Sequence, residues 1–330
     1  MRVYLIEAIR NRRSLFGAWL LVVCVSATAQ DFPRTAPLRI LGFAPPGAQS
    51  DILTRALIPP LSKALGQTVI VENRPGADGA IAAEQCAKSA PDGHTLCFMS
   101  SSILIVTPAT QGTLPYNPLS DFAPVMFLGY FDSFLIAHPS VAANNLNELV
   151  AQAKADANKL NWGHFGLATV GNFYQEYIRK FRGAPFFSIP YKTNPQLLQA
   201  LQTGEAQVGV FGVATVVSPI RAGKLKALAV TADKRVVDFP NVPTFEEEGI
   251  KLPFLRGWYG YNMAAATPRP IVMRWNAELR RAMAEPFYAE LLAKQRIEVR
   301  PGAPEELDAL LKTQLKQFAE LVKYIDFKPQ

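Results

Sequence analysis

Three histidines and three cysteines are all that the 330 residues offer to a transition metal. His94, His138 and His164 stand at no ligand spacing with one another, with cysteine or with carboxylates, so the sequence supplies no zinc motif. It also lacks a Gly-x-Ser-x-Gly elbow and a glycine-rich loop ending in Lys-Ser or Lys-Thr, which removes the hydrolase and nucleotide-cradling signatures. A triad assembled only in space would leave no such trace. Charged residues are sparse too, 18% of the chain against 49% hydrophobic and 10% aromatic. That balance excludes disordered and fibrous classes and provides material for buried cores, and the length suggests two globular units.

The apolar run near the start, Leu15 to Val25, is short. Arg10, Arg12 and Arg13 precede it and Ala27-Thr28-Ala29 follow, the order of a secretory signal peptide. About 13 apolar or small residues fall short of the roughly 20 that cross hydrocarbon, so residues 1–29 are expected to be cleaved before Gln30 and the chain to reach the periplasm. Leu21-Val22-Val23-Cys24 offers a lipid-attachment alternative, with bulky Val23 where a small residue belongs. Loss of residues 1–29 removes four of 34 basic and one of 27 acidic residues, lowering the net charge from +7 to +4. The remaining basic residues are scattered, as at Arg179, Lys180 and Arg182, without an aromatic stacking module, so nucleic acid is not an expected partner. Cys86 and Cys97 remain, an even number for an oxidising compartment. A helix ending near Ala90, a turn at Pro91-Asp92-Gly93 and a strand at Thr95 to Met99 would bring the two together as a disulfide; two buried thiols are the alternative.

Along the exported chain, short apolar runs alternate with amphipathic stretches. LRILGF (38 to 43) predicts a buried strand, APPGAQS a turn, and Asp51 the N-cap of a helix. Pro59 inside that helix removes a donor to Arg55 and should kink or end it. TVIVEN (68 to 73) and TLCFM (95 to 99) predict strands around a helix at 79 to 90, the βαβ order of a parallel sheet. A second series repeats this grammar: helices at 145 to 157, 172 to 182 and 196 to 202, strands at 159 to 163, 186 to 189, 207 to 211 and 227 to 230. Residues 270 to 324 are expected to be helical throughout. Two apolar segments, YFDSFLIAH (130 to 138) and GWYGYNMAAA (257 to 266), stand between the series. If they are crossing strands, lobe 1 comprises residues 30–132 and 258–330 and lobe 2 residues 133–257, with a hinge that can close over a cleft. One continuous domain is the alternative.

In each series a strand ends in a glycine-bearing turn that opens a helix: Pro46-Gly47-Ala48-Gln49-Ser50-Asp51 and Gly163-His164-Phe165-Gly166-Leu167-Ala168-Thr169. Helix N-termini expose N–H groups and the positive end of the dipole, so two facing across a cleft could grip a carboxylate. Plain strand-helix connections would look the same.

GQTVIVENRPGADGAIAAEQCAKSAPDGHTL (66 to 96), LPYNPLSDFAPV (114 to 125), PYKTNPQLLQALQTGEAQV (190 to 208), RAGKLKALAV (221 to 230) and FPNVPTFEEEGI (239 to 250) resemble the Bug family, the TctC-like solute-binding proteins of tripartite tricarboxylate transporters. The resemblance covers nearly all of the exported chain. It implies a two-lobed α/β fold of the periplasmic-binding-protein (Venus flytrap) type with two crossover strands at the hinge. The implied role is capture of a small carboxylate for delivery to a membrane permease, or presentation to a sensor kinase, by a monomer with no catalysis, cofactor or metal. It places Pro46, Gly47, Ala48, Gln49, Ser50, Asp51, Ser100, Ser101 and Ser102 along the first lobe of the cleft. His164, Phe165, Gly166, Leu167, Ala168, Thr169, Thr193, Gly212, Val213 and Ala214 would line the second. Asp51 is expected to be more a cap than a ligand contact, and Ser100 to Ser102 could equally be a solvated turn. The chain departs from the family at Ala48, usually glycine, at His164, usually a small hydroxyl residue, at Thr193, usually glycine, and at Gly212, often Asp. The missing Asp argues against an amino-acid ligand, while Phe165 and Leu167 favour an apolar or aromatic body. His164 could donate to a ligand carboxylate.

Overall fold

The computed structural model describes residues 32–33, 36–156, 160–164, 166, 169–252 and 255–327. The expected signal peptide with Cys24 lies outside the described residues, as do Phe165, Leu167 and Ala168. The chain begins with β1 (Leu38–Gly42), in which Leu38, Ile40 and Leu41 are buried, the near-continuous apolar run of a strand covered on both faces. Two helices follow, α1 (Gln49–Ala56) and α2 (Ile58–Leu65). They are separate because Pro59 sits in the first turn of α2, where a missing N–H is harmless, and could not continue α1. Next come β2 (Val69–Asn73), α3 (Ala80–Ala87) and β3 (Thr95–Ser100), then a π-helical turn at Ser102–Val106 that runs into α4 (Thr107–Thr110), and β4 (Phe122–Phe131). Cys86 of α3 and Cys97 of β3 form a disulfide with Cα atoms 6.2 Å apart.

The second series is β5 (Ser133–Ala137), α5 (Leu146–Ala155), β6 (Asn161–His164), α6 (Val170–Arg182), β7 (Phe187–Pro190), α7 (Asn194–Thr203), β8 (Val208–Gly212), α8 (Val213–Arg221) and β9 (Lys226–Val230). The chain then returns through β10 (Gly257–Ala264), α9 (Arg269–Met283), α10 (Pro286–Lys294), β11 (Ile297–Val299) and α11 (Pro304–Tyr324). Two sheets result. One has the order β11-β4-β10-β3-β1-β2 and the other β7-β6-β8-β5-β9. β1 pairs in parallel with β2 and β3, β6 with β7 and β8, whereas β10 and β5 run antiparallel to their neighbours. These antiparallel strands sit next to the points where the chain changes sheets.

Three expectations need correction. The segment 130 to 138 is not one crossing strand: it breaks at Asp132 into β4 and β5 of different sheets, and β10 lies wholly within the first sheet. The region 270 to 324 is not helical throughout. Ile297 and Val299 leave the helix-forming pattern and complete the open edge of β4 as a three-residue strand, too short to show a period in sequence. Asp51 is not the N-cap of α1; that position belongs to Ala48, and Asp51 is the third helical residue.

The break at Asp132 is fixed electrostatically. Arg256, just before β10, is buried and donates from Nε to Asp132 Oδ1 at 2.6 Å and from Nη2 to Asp132 Oδ2 at 3.1 Å. It also reaches Asp233 beyond β9 at 3.1 Å and Glu298 of β11, and its guanidinium lies 4.7 Å from the centroid of the Tyr130 ring. Burial raises the Asp132 carboxyl, with the Arg256 guanidinium opposing that shift. One cation thus ties the outgoing crossing, the return crossing and an edge strand of lobe 1 to lobe 2.

Apolar packing also passes between the lobes. A single cluster joins Cys86, Leu104 and Trp258 on one side to Leu135, Trp162 and Phe173 on the other. The helix α11 contributes to it at both ends: Leu307 packs where a side chain at Gly260 of β10 would collide with it, and Phe318 meets Phe173 of α6 with ring centroids 4.6 Å apart. Tyr324 stacks on Phe181 of the same helix at 4.3 Å.

Candidate functional site

The first candidate turn, between β1 and α1, is held by a carboxylate. Asp51 Oδ2 accepts from the Gly47 N–H at 2.8 Å, and Oδ1 accepts from Asn73 Nδ2 at 2.9 Å. Arg55 Nε contacts the same carboxylate at 2.9 Å, and Asn73 also donates to the Ala44 carbonyl at 2.7 Å. Burial works to raise the Asp51 carboxyl, but the hydrogen bonds from Arg55, Gly47 and Asn73 outweigh it and hold the group below the usual carboxylate value. Gly47 has φ +84°, a conformation that favours glycine. The N-cap position of α1 is Ala48, whose methyl can accept no hydrogen bond, so no side chain caps this N-terminus. That end carries positive partial charge and N–H groups available to an anion.

Of the other expected first-lobe residues, Pro46 and Gly47 are exposed and Ala48 is half-buried. Gln49 turns toward lobe 1, accepting from the Tyr259 hydroxyl at 3.1 Å and donating to the Gln295 carbonyl at 2.9 Å. Ser50 is buried. Ser100 ends β3 and pairs with Tyr259, and the Ser101 hydroxyl accepts from the Trp258 N–H at 3.2 Å, so these serines are not a solvated loop. Ser102 begins the π-helical turn.

The second turn is built differently. Thr169 is the N-cap of α6, accepting from the Asn172 N–H at 3.4 Å while its hydroxyl donates to the Gly166 carbonyl at 2.8 Å. His164, the last residue of β6, is buried with Nδ1 3.1 Å from the Gly166 carbonyl oxygen. Burial lowers its pKa, and the Gly166 carbonyl only partly offsets this. Thr193 is exposed and caps α7 by accepting from Gln196. Gly212 precedes α8, whose N-terminus, like that of α1, has no side-chain cap. The buried Val213 donates its N–H to the Asp132 carbonyl at 2.9 Å, and Ala214 follows half-buried. Val213 also lines a cavity of about 440 Å³ beside the hinge, with Lys234, Arg235 and Arg296.

The two turns lie at carboxyl ends of parallel strands, where α/β sheets present ligand sites. The lobes approach on both flanks of this region. Arg296, between α10 and β11, pairs with Asp238 of lobe 2, and a methyl on Gly166 would stand 3.5 Å from Asp78 Oδ1 in the loop before α3. Sequence reasoning missed Asn73, Tyr259 and Asp78. Asn73, at the end of β2, carried a usable signal, since a polar residue closing an apolar strand often serves a neighbouring loop. Among the described residues no group of three or more His, Cys, Asp or Glu side chains is arranged to hold a metal, and no helix is long and apolar enough to cross a membrane.

Two α/β sheets joined by two crossings, with uncapped helix starts gathered at the strand ends, define a two-lobed binding protein of the periplasmic type. Residues 53–327 match the family model described as tripartite tricarboxylate transporter family receptor, TctC, and the chain belongs to that family. It is 31% identical to a UPF0065 protein of Bordetella bronchiseptica over 96% of this chain and 94% of that one. Among solved structures it is similar to the periplasmic binding protein BugD, with a TM-score of 0.79, 28% identity and coverage of 91% of this chain and all of that one. It is likewise similar to MatC from Rhodopseudomonas palustris with bound malate, with a TM-score of 0.77, 28% identity and coverage of 88% of this chain and all of that one.

Proposed function

We propose that this protein captures a small organic carboxylate between its lobes in the periplasm, closes about the Asp132 and Arg256 crossings, and delivers the ligand to a permease of the tripartite tricarboxylate type. It acts without catalysis. The observation that carries this reading is the first turn: Asp51 holds the loop through Gly47 while Ala48, at the N-cap, gives the start of α1 no side-chain acceptor, so an anion would complete a helix end that the protein itself leaves open. In lobe 2 the corresponding donors are the N–H groups that follow Val213 at the uncapped start of α8, the Val213 N–H itself being given to the Asp132 carbonyl. The malate complex of a 28%-identical relative supports the carboxylate class. An apolar or aromatic body for the ligand rests on Phe165 and Leu167 alone.

The test is a thermal-shift screen of mono-, di- and aromatic carboxylates, since a ligand that binds only the folded state raises the midpoint by mass action. At least one carboxylate should raise it, and small-angle scattering with that ligand should show a smaller radius of gyration. A panel with no shift would overturn the carboxylate assignment. An unchanged scattering profile with proven binding would overturn the closure.

A further inference from the structure

Before α3 the backbone does something costly. Gly76, Ala77, Asp78 and Gly79 have φ of +123°, +47°, +51° and +89°, four successive residues in a region that side chains avoid, two of them not glycine. The loop is pinned from beneath: a Cβ on Gly79 would lie 2.4 Å from Ile103, and Thr107 donates to the Asp78 carbonyl at 3.4 Å. Asp78 is therefore held out from lobe 1 toward lobe 2, its Oδ1 beside the bare Cα of Gly166 in the second turn. Gly166 has no Cβ to stand against Asp78, and its own N–H and carbonyl are taken by His164 and Thr169.

Three other carboxylates of the turns and the hinge, Asp51, Glu72 and Asp132, are each bonded to arginine. Asp78 is different. Among the described residues its side-chain partner is Gln111 of the same lobe, at 3.5 Å. Asp78 is exposed, yet the protein around it desolvates the carboxyl enough to raise its pKa, against which Gln111 is a weak counterweight.

We propose that Asp78 sets ligand selectivity: it gives the cleft an acidic end that accepts a hydrogen bond from an ammonium or hydroxyl on the captured carboxylate and turns away a second carboxylate. This rests on the carboxylate reading above and narrows it. A ligand with its anion at the start of α1 and its far end reaching the loop would set any second carboxylate against Asp78, and two carboxylates meeting there could not both stay ionised. The acidic partner absent at Gly212 is thus supplied from the opposite lobe, and an amino-acid ligand is readmitted.

Calorimetric titrations at neutral pH should compare wild type, Asp78→Asn and Asp78→Gly. The probes are straight-chain ω-amino, ω-hydroxy and dicarboxylic acids of matched length. The glycine variant also relieves the positive φ and is expected to fold at least as stably. Wild type should bind the amino or hydroxy acid at least tenfold more tightly than the dicarboxylate of equal length, and both variants should lose that ranking while still binding carboxylates. A wild type that binds dicarboxylates equally well or better, or variants that keep the wild-type ranking, would overturn the role of Asp78 and leave the carboxylate reading standing. If no probe binds any of the three proteins, the carboxylate reading fails and this inference with it.

Discussion

The two turns that look alike in sequence are opposite in construction. In lobe 1 a carboxylate polices the loop and the helix start is left open; in lobe 2 a threonine closes the helix start and a buried imidazole supports the loop. Glycine-bearing turns that match in sequence therefore need not be equal half-sites. In lobe 2 the helix start without a side-chain cap is that of α8, after Gly212, one strand away from the turn that resembles its counterpart.

Four measurements test this contrast, in order of decreasing effect. Asp51→Ala removes the acceptor of Gly47, Asn73 and Arg55 together and should destabilise the protein by about 3 kcal/mol, with loss of carboxylate binding. Because the folded state holds this carboxyl low, its contribution is present above the unfolded carboxylate value and fades as pH falls through the folded one. A denaturant titration in which the variant matches wild type at pH 7 would show that the loop does not depend on Asp51. Replacing both Cys86 and Cys97 by serine should cost about 2–3 kcal/mol for a sequence separation of 11, and thiol labelling of the denatured, unreduced protein should find neither cysteine free.

Thr169→Ala should cost about 1 kcal/mol, the ordinary worth of a hydroxyl N-cap, while leaving carboxylate affinity intact if the open donors of lobe 2 are those of α8. A large loss of affinity would return the site to α6. His164→Ser should show the smallest effect, in slope only. Burial keeps the folded imidazole below its ordinary 6.5, so as pH falls past that value the unfolded chain takes up a proton first and wild type loses stability; the serine variant should not. Parallel melting curves at pH 7 and pH 5.5 for the two proteins would remove His164 from the account.

Much of the architecture was legible because its signals are local. The β1, β2 and β3 runs, the Pro59 break and the repeated strand-helix grammar all follow from patterning and backbone chemistry within a few residues. β11 escaped because three residues cannot display a period and its reason to exist is the vacant edge of β4. The site was less legible for the same reason. Asp51 looks like a cap in sequence, and only the folded loop shows Gly47, Asn73 and Arg55 converging on it. Asp78 lies inside a stretch read only for its resemblance, and nothing local reveals that it faces a glycine of the other lobe.

The seat of α11 bears on how the molecule comes apart. With Leu307 packed on the first sheet and Phe318 and Tyr324 on α6, this helix forbids either lobe from melting alone without exposing the other's apolar surface. The free protein should therefore unfold as one cooperative unit, with a calorimetric enthalpy equal to the van't Hoff value. Two resolved transitions in the scan would mean that the helix rides on one lobe and merely touches its neighbour.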